Sequence, residues 1–165
     1  MQVIDNFLSE YRFKQISNII LNDYFPWYFN DFVVSKGDSL YQFTHSIFDI
    51  RSGGVRSQYY SLFDLVQQKL RVGRLDRIKL NLNHKTIFHR KGGYHCDNTP
   101  GDPHQHTKTA VLYINTNNGW TRFKKGGKVK SVANRVVIFD PTLKHRGVTC
   151  TDEKRRVVIN FNYDV

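Results

Sequence analysis

After Gly73 the hydrophobic period of this chain switches from 3.6 to 2, and that switch limits what the chain can fold into. Ile78, Leu80 and Leu82 alternate with Lys79, Asn81 and Asn83, the pattern of a strand with one dry face. Further strand-like segments follow at 109–115, 120–123, 129–132, 135–139 and 156–163. Turn signals separate them at Asn117-Asn118-Gly119, Gly126-Gly127 and Asp140-Pro141. Before Gly73 the period is helical. Residues 9–22 set Phe13, Ile16 and Ile20 on one face behind Ser9 as N-cap. Residues 57–70 read as a second amphipathic helix with Tyr59, Leu62, Phe63, Val66 and Leu70 inward. The aromatic run 24–29, broken by Pro26, is expected in the core under a helix. Helices followed by many short strands predict a mainly β chain with N-terminal helices, as a helix-backed sandwich or barrel. At 165 residues, with no linker or repeat, the chain reads as one domain. Residues 1–75 are its expected helical support and 76–165 its β core.

The net charge is +11, and twelve of the fourteen acids are Asp. So basic a surface suits an acidic substrate, nucleic acid or an anionic surface, and is equally explained as a solubility surface. The densest basic clusters are Arg122-Phe-Lys124-Lys125, Lys128 with Lys130, and Lys154-Arg155-Arg156. Neither a signal-peptide pattern nor a membrane-length apolar run is present, so no membrane partner is expected. Two cysteines, Cys96 and Cys150, fit a reduced, cytoplasmic setting.

The chemistry-bearing motif is His95-Cys96-Asp97, with His145 48 residues after the aspartate and Arg156 eleven residues further on. Two imidazoles and one carboxylate on one face of an iron leave three octahedral positions open, the ligand set of non-haem Fe(II) oxygenases. With seven histidines and twelve aspartates, one His-x-Asp arises by chance about as often as not. The weight lies in order and context: the pair ends a turn, the third ligand precedes a terminal strand, and strands lie between. A basic residue after the last ligand suits the far carboxylate of a bound 2-oxo acid, best through a bidentate guanidinium.

Tyr94-His-Cys-Asp97, the strand 109–115, Gly119-Trp-Thr121, Val136-Val-Ile-Phe139, His145-Arg-Gly147 and Arg156-Val-Val-Ile-Asn-Phe161 resemble the 2-oxoglutarate/Fe(II) dioxygenases. The prolyl-4-hydroxylase-like branch is the most similar, including small single-domain members encoded by bacteriophages. The resemblance covers residues 76 to 163 and touches the helical start only loosely. It implies a double-stranded β-helix, or jelly roll, with iron at one open end. It makes His95, Asp97 and His145 the metal ligands, Arg156 the ion-pair partner of the distal 2-oxoglutarate carboxylate, and Tyr113 a hydroxyl donor to that carboxylate. Thr109, on the same strand face as Tyr113, and Asn83, just before the first ligand, are expected to line the same pocket. Asn81 and Asn83 read equally well as plain exposed strand positions.

The implied activity is hydroxylation of a C–H bond with Fe(II), 2-oxoglutarate and O2, with ascorbate as a supporting reductant. The implied substrate is a protein or peptide side chain, proline first, in the cytoplasm of a host cell if the chain is phage-encoded. Two other readings stay open. The charge suggests a nucleic-acid base oxygenase, although AlkB-type enzymes carry a second arginine six residues after the first, where this chain has Asn162. A non-catalytic jelly-roll binding module is the other. The chain departs from the family at Gly119-Trp120, where Gly-Gly is usual, and its spacing from His145 to Arg156 is slightly long, which makes Arg155 a rival. Residues His104-Gln-His106 are expected in a solvated loop or at the mouth, and His45, His84 and His89 at the surface or in satisfied core positions.

Overall fold

The computed structural model describes residues 1–34, 40–98, 101 and 103–165. In chain order its elements are β1 (Gln2–Ile4), α1 (Glu10–Ile20), β2 (Tyr28–Asn30), β3 (Gln42–Asp49), β4 (Gly54–Val55), α2 (Asp64–Leu70), β5 (Arg74–His84), β6 (Lys108–Tyr113), β7 (Trp120–Phe123), β8 (Lys128–Lys130), β9 (Val136–Phe139), β10 (His145–Val148) and β11 (Arg155–Asp164). One sheet runs in the order β1-β9-β6-β11-β5-β3-β2, with β4 added to β3, and a second runs β10-β7-β8. From β6 onward the chain passes back and forth between the two: β6, β9 and β11 lie in the large sheet, and β7, β8 and β10 in the small one. Antiparallel strands that alternate between two facing sheets make a jelly roll, the double-stranded β-helix.

Strand alternation sorts the large sheet into two faces. Ile78, Leu80 and Leu82 on β5, with Val157, Ile159 and Phe161 on β11, point to the outer face. There they form the main core with Ile16 and Ile20 of α1, Phe63, and Val66 and Leu70 of α2. Burying an apolar side chain of this size contributes about 1.5–3 kcal/mol, so this layer supplies most of the driving force. The inner face looks at the small sheet. At one end it closes a second apolar cluster of Val111, Tyr113, Phe123, Val129, Val137, Phe139 and Val158. At the other end it stays polar and opens into a cavity.

Helix α1 starts where expected, with the Ser9 hydroxyl accepting from the Arg12 N–H. The second helix is shorter than its pattern. The chain makes a 3-10 turn over Tyr60–Phe63, and α2 begins only at Asp64. The Ser57 hydroxyl accepts from the Tyr59 N–H at 3.2 Å and bonds His45 Nε2 at 2.8 Å. That local hydrogen bond competes with the first helical turn. The first 75 residues also supply strands: β1 pairs with β9, and β3 pairs with β5 beside the site. The aromatic run divides, with Phe25 buried but Tyr24, Tyr28 and Phe29 exposed.

Candidate metal centre and its cavity

The two histidines of the motif lie directly opposite each other. His95 and His145 form an isolated antiparallel bridge, the His95 N–H donating to the His145 carbonyl at 3.0 Å and the reverse bond measuring 2.9 Å. Cross-strand side chains on such a rung share one side, and the imidazole centroids are 4.4 Å apart. The Asp97 N–H donates to the Pro141 carbonyl at 2.9 Å, which fixes the third residue against the turn before β10. The potential ligand atoms of His95, Asp97 and His145 all lie within 4.8 Å of one another. Both Nε2 atoms stand 3.9 Å from an Asp97 oxygen.

Neighbouring groups orient these donors. His145 Nδ1 faces the Leu143 carbonyl at 2.9 Å, and His95 Nδ1 faces that of Gly93 at 3.4 Å. A proton held on Nδ1 leaves the Nε2 lone pair free for a metal. Phe139 and Phe123 pack against the His145 ring. The Thr109 hydroxyl donates to Asp97 Oδ2 at 2.7 Å, and Arg77 Nη2 lies 3.8 Å from Oδ1. Burial works to raise the Asp97 pKa, but His145, Arg77 and the Thr109 hydrogen bond together hold it below the usual carboxylate value. Burial, reinforced by His145, pushes the His95 pKa down. An ionised carboxylate beside a His95 imidazole biased toward neutrality suits a divalent transition ion. The donor set therefore fits Fe(II).

A cavity of about 1060 Å³ opens beside this cluster, and Arg156 lines its far side. Arg156 is only 3% exposed. Its Nε donates to the Ser131 hydroxyl at 2.9 Å and its Nη2 to the Thr121 hydroxyl at 3.1 Å. No carboxylate among the described residues pairs with it. Burial lowers its pKa. Gly119 cradles the side chain: a Cβ there would stand 2.8 Å from Arg156 Cδ and 2.8 Å from the Val148 carbonyl oxygen. A fully desolvated guanidinium held only by hydroxyls is costly unless an anion arrives. Arg155, the rival, faces the other way and donates to the Leu21 carbonyl at the end of α1.

The remaining expected residues fall out as follows. Asn83 lines the cavity, directly across from Arg156 on the neighbouring strand. The Tyr113 hydroxyl donates to Thr121 at 2.8 Å, on the hydroxyl that Arg156 also uses, and burial raises its pKa. Thr109 serves the Asp97 carboxylate. His106, expected in a solvated loop or at the mouth, is 6% exposed. It meets Asn162 Nδ2 at 2.8 Å and Thr109 Oγ1 at 3.3 Å, because Asn162 and Thr109 are opposed on paired strands and leave an inward gap that the ring fills. The turn-rich stretch 98–103 lies partly outside the described residues. Sequence reasoning missed Thr121 and Ser131, which hold the arginine, and Arg77 and Lys79, which line the cavity. The strand parity of Arg77 and Lys79 with Asn81 and Asn83 was the available signal.

The fold is that of the 2-oxoglutarate/Fe(II) oxygenases. A prolyl hydroxylase from Trichoplax adhaerens, solved with a hypoxia-inducible-factor peptide fragment, matches with TM-score 0.71 and 13% identity over 98% of this chain and 82% of that one. A viral collagen prolyl hydroxylase from Paramecium bursaria Chlorella virus-1 matches with TM-score 0.64 and 16% identity, covering 98% and 93%. A Pseudomonas putida prolyl-4-hydroxylase matches with TM-score 0.62 and 16% identity, covering 99% and 92%. At these identities the likeness defines the architecture. No protein-family model and no curated protein sequence matches the chain. Among the described residues, no helix is long and apolar enough to cross a membrane.

Proposed function

We propose that the chain is a 2-oxoglutarate- and O2-dependent Fe(II) dioxygenase that hydroxylates a C–H bond on a protein or peptide side chain. The observation that carries this reading is Arg156: a buried guanidinium without a counter-anion among the described residues, in the same cavity as two imidazoles and a carboxylate that converge. His95, Asp97 and His145 hold the metal. Arg156 takes the distal carboxylate of the co-substrate, with Asn83 beside it and Tyr113 acting through Thr121. Thr109 is a positioning residue, because its hydroxyl fixes an Asp97 oxygen. When bound, Fe(II) and 2-oxoglutarate supply the oxidising chemistry, in which O2 and the co-acid give succinate, CO2 and one oxygen atom inserted into the substrate C–H bond.

The protein's own share is orientation and exclusion of water. The apolar cluster around Tyr113 and Phe123 closes the site from beneath, while the mouth admits substrate. A peptide substrate is supported by the architecture shared with a hydroxylase solved on a peptide. The free thiols at Cys96 and Cys150 suit a reducing compartment such as cytoplasm. The test is succinate release from purified protein with Fe(II), 2-oxoglutarate and ascorbate. Release that stops in His145→Ala supports the reading, whereas equal release from that variant removes it. Mass spectrometry of added peptides then looks for a gain of one oxygen.

A further inference from the structure

The cavity wall next to the metal cluster is basic, with Asp49 opposite Arg77 on β3 as a nearby carboxylate outside the described lining. On β5, Arg77 and Lys79 face inward, and Lys144 stands at the rim. With Arg156 the lining holds four cationic side chains, and among the described residues Asp97 is its single acid. A bound dication and a dianionic co-substrate cancel each other, and Asp97 offsets one of the four cations, with Arg77 nearest to it at 3.8 Å. Three positive charges remain around the space left for substrate. Arg77 is partly engaged, its Nε donating to Asn162 at 2.9 Å. The Lys79 ammonium has neither a hydrogen-bond partner nor an ion pair among the described residues. Ser46 and Asn160 flank it on the neighbouring strands. Burial, then Arg77, lowers its pKa against the smaller opposing pull of Asp49, the cost of holding an ammonium where water is scarce.

We infer that this wall is a subsite for an oxyanion, and that the substrate is an acidic peptide segment whose carboxylate, next to the oxidised residue, is taken by Lys79 and Arg77. The inference rests on the oxygenase reading above. Arg77 lies 3.8 Å from Asp97, so the subsite adjoins the metal centre rather than a distant surface. Carboxamides complete the wall: Asn81, Asn83 and Asn160 from the sheet, with Gln42 from β3. Each carries a donor and an acceptor, which matches a peptide backbone. A nucleobase needs aromatic faces to stack on. Phe32 is the single aromatic residue in the described lining, and the Arg146 guanidinium is already stacked on Tyr94 at 4.1 Å.

The experiment uses the full chain loaded with Mn(II) and 2-oxoglutarate and immobilised at about 0.15 M salt, where distant surface charge is screened beyond roughly 8 Å. A degenerate synthetic hexapeptide pool is passed over it, and retained peptides are sequenced by mass spectrometry. A degenerate oligodeoxynucleotide pool is run in parallel. Retained peptides should be enriched about tenfold in Asp or Glu, the scale of one charge-assisted hydrogen bond. Lys79→Met should lose that enrichment. Lys79→Glu should reverse it in favour of Lys and Arg, a gain that misfolding does not imitate. Lys14→Met, on the outer helix, should retain what the parent retains. Equal acid enrichment in Lys79→Met, retention of neutral or basic peptides by the parent, or no retained peptide overturns the inference. Preferential capture of oligonucleotides overturns the peptide in favour of a phosphate-bearing substrate. Dialysis of Mn(II) and labelled 2-oxoglutarate on the same preparation separates the two levels. Failure there removes the oxygenase reading, and success without acid preference removes only the subsite.

Discussion

The two faces of β5 and β11 are made by the same backbone and obey opposite rules. Outward, Leu80 and Ile159 are wholly buried against helices, and the packing is apolar but for His45, opposite Leu80 on β3. Inward, Asn81 and Asn160 line a polar cavity one residue further along each strand. The outer face stabilises the molecule. The inner face and its rim hold groups whose burial costs free energy: a guanidinium and an ammonium without an ion pair among the described residues, and a carboxylate beside two imidazoles. Side chains retained against such a cost mark the place where ligands supply the missing partners.

This contrast can be broken by experiment. The largest effect is expected at the inner cluster: Ala at His95, Asp97 or His145 should abolish stoichiometric metal binding in equilibrium dialysis, because two ligands hold a labile ion poorly. Leu80→Ala, on the outer face, should cost about 2–5 kcal/mol in urea unfolding. Its neighbour Asn81→Ala should stay within about 0.5 kcal/mol, and equal costs would erase the distinction between the faces. Arg156→Ala should weaken 2-oxoglutarate by about 2–5 kcal/mol in a calorimetric titration, while Arg155→Ala leaves it unchanged. The reverse ranking would move the anion site to the outer face.

Tyr113→Phe should cost only about 0.5–1.5 kcal/mol of that affinity, since one hydrogen bond is lost. A graded effect concerns pH. Burial depresses the pKa values of His95 and His106 in the folded state. The unfolded chain therefore takes up these protons first. Their contribution to stability is present above a pH of about 6.5 and is lost as pH falls below it. The unfolding free energy of the metal-free protein from urea titrations should drop from pH 7 to pH 5, by at most about 1.4 kcal/mol per pH unit for each histidine. His106→Gln should flatten that slope.

Much of this was legible beforehand, and the gaps have physical causes. Period-two alternation separates Lys79, Asn81 and Asn83 from Ile78, Leu80 and Leu82, but it does not tell whether water or a second sheet covers the polar side. That is why Lys79 read only as a strand's wet position. The strand β3 escaped because buried His45 interrupts its apolar set and a register shift falls between Ser46 and Phe48. The convergence of His95, Asp97 and His145 was expected from their order, their context and the family resemblance taken together, and the structure brings the three side chains within reach of one another. Thr121, Ser131 and Gly119 were not expected, because their roles exist only once a distant arginine has been threaded between them.

The Thr121 hydroxyl carries one further consequence. It accepts from Tyr113 on one side and from Arg156 on the other. A hydroxyl oxygen has two lone pairs and one hydrogen. With both lone pairs occupied, the hydrogen is the only group left to direct elsewhere, and Thr121 borders the cavity. A side chain that ties two buried residues together is thereby turned into a hydrogen-bond donor of fixed polarity. It can greet an acceptor entering the cavity and must refuse a donor, so a neutral threonine filters incoming groups by the direction of their hydrogen bonds as well as by charge.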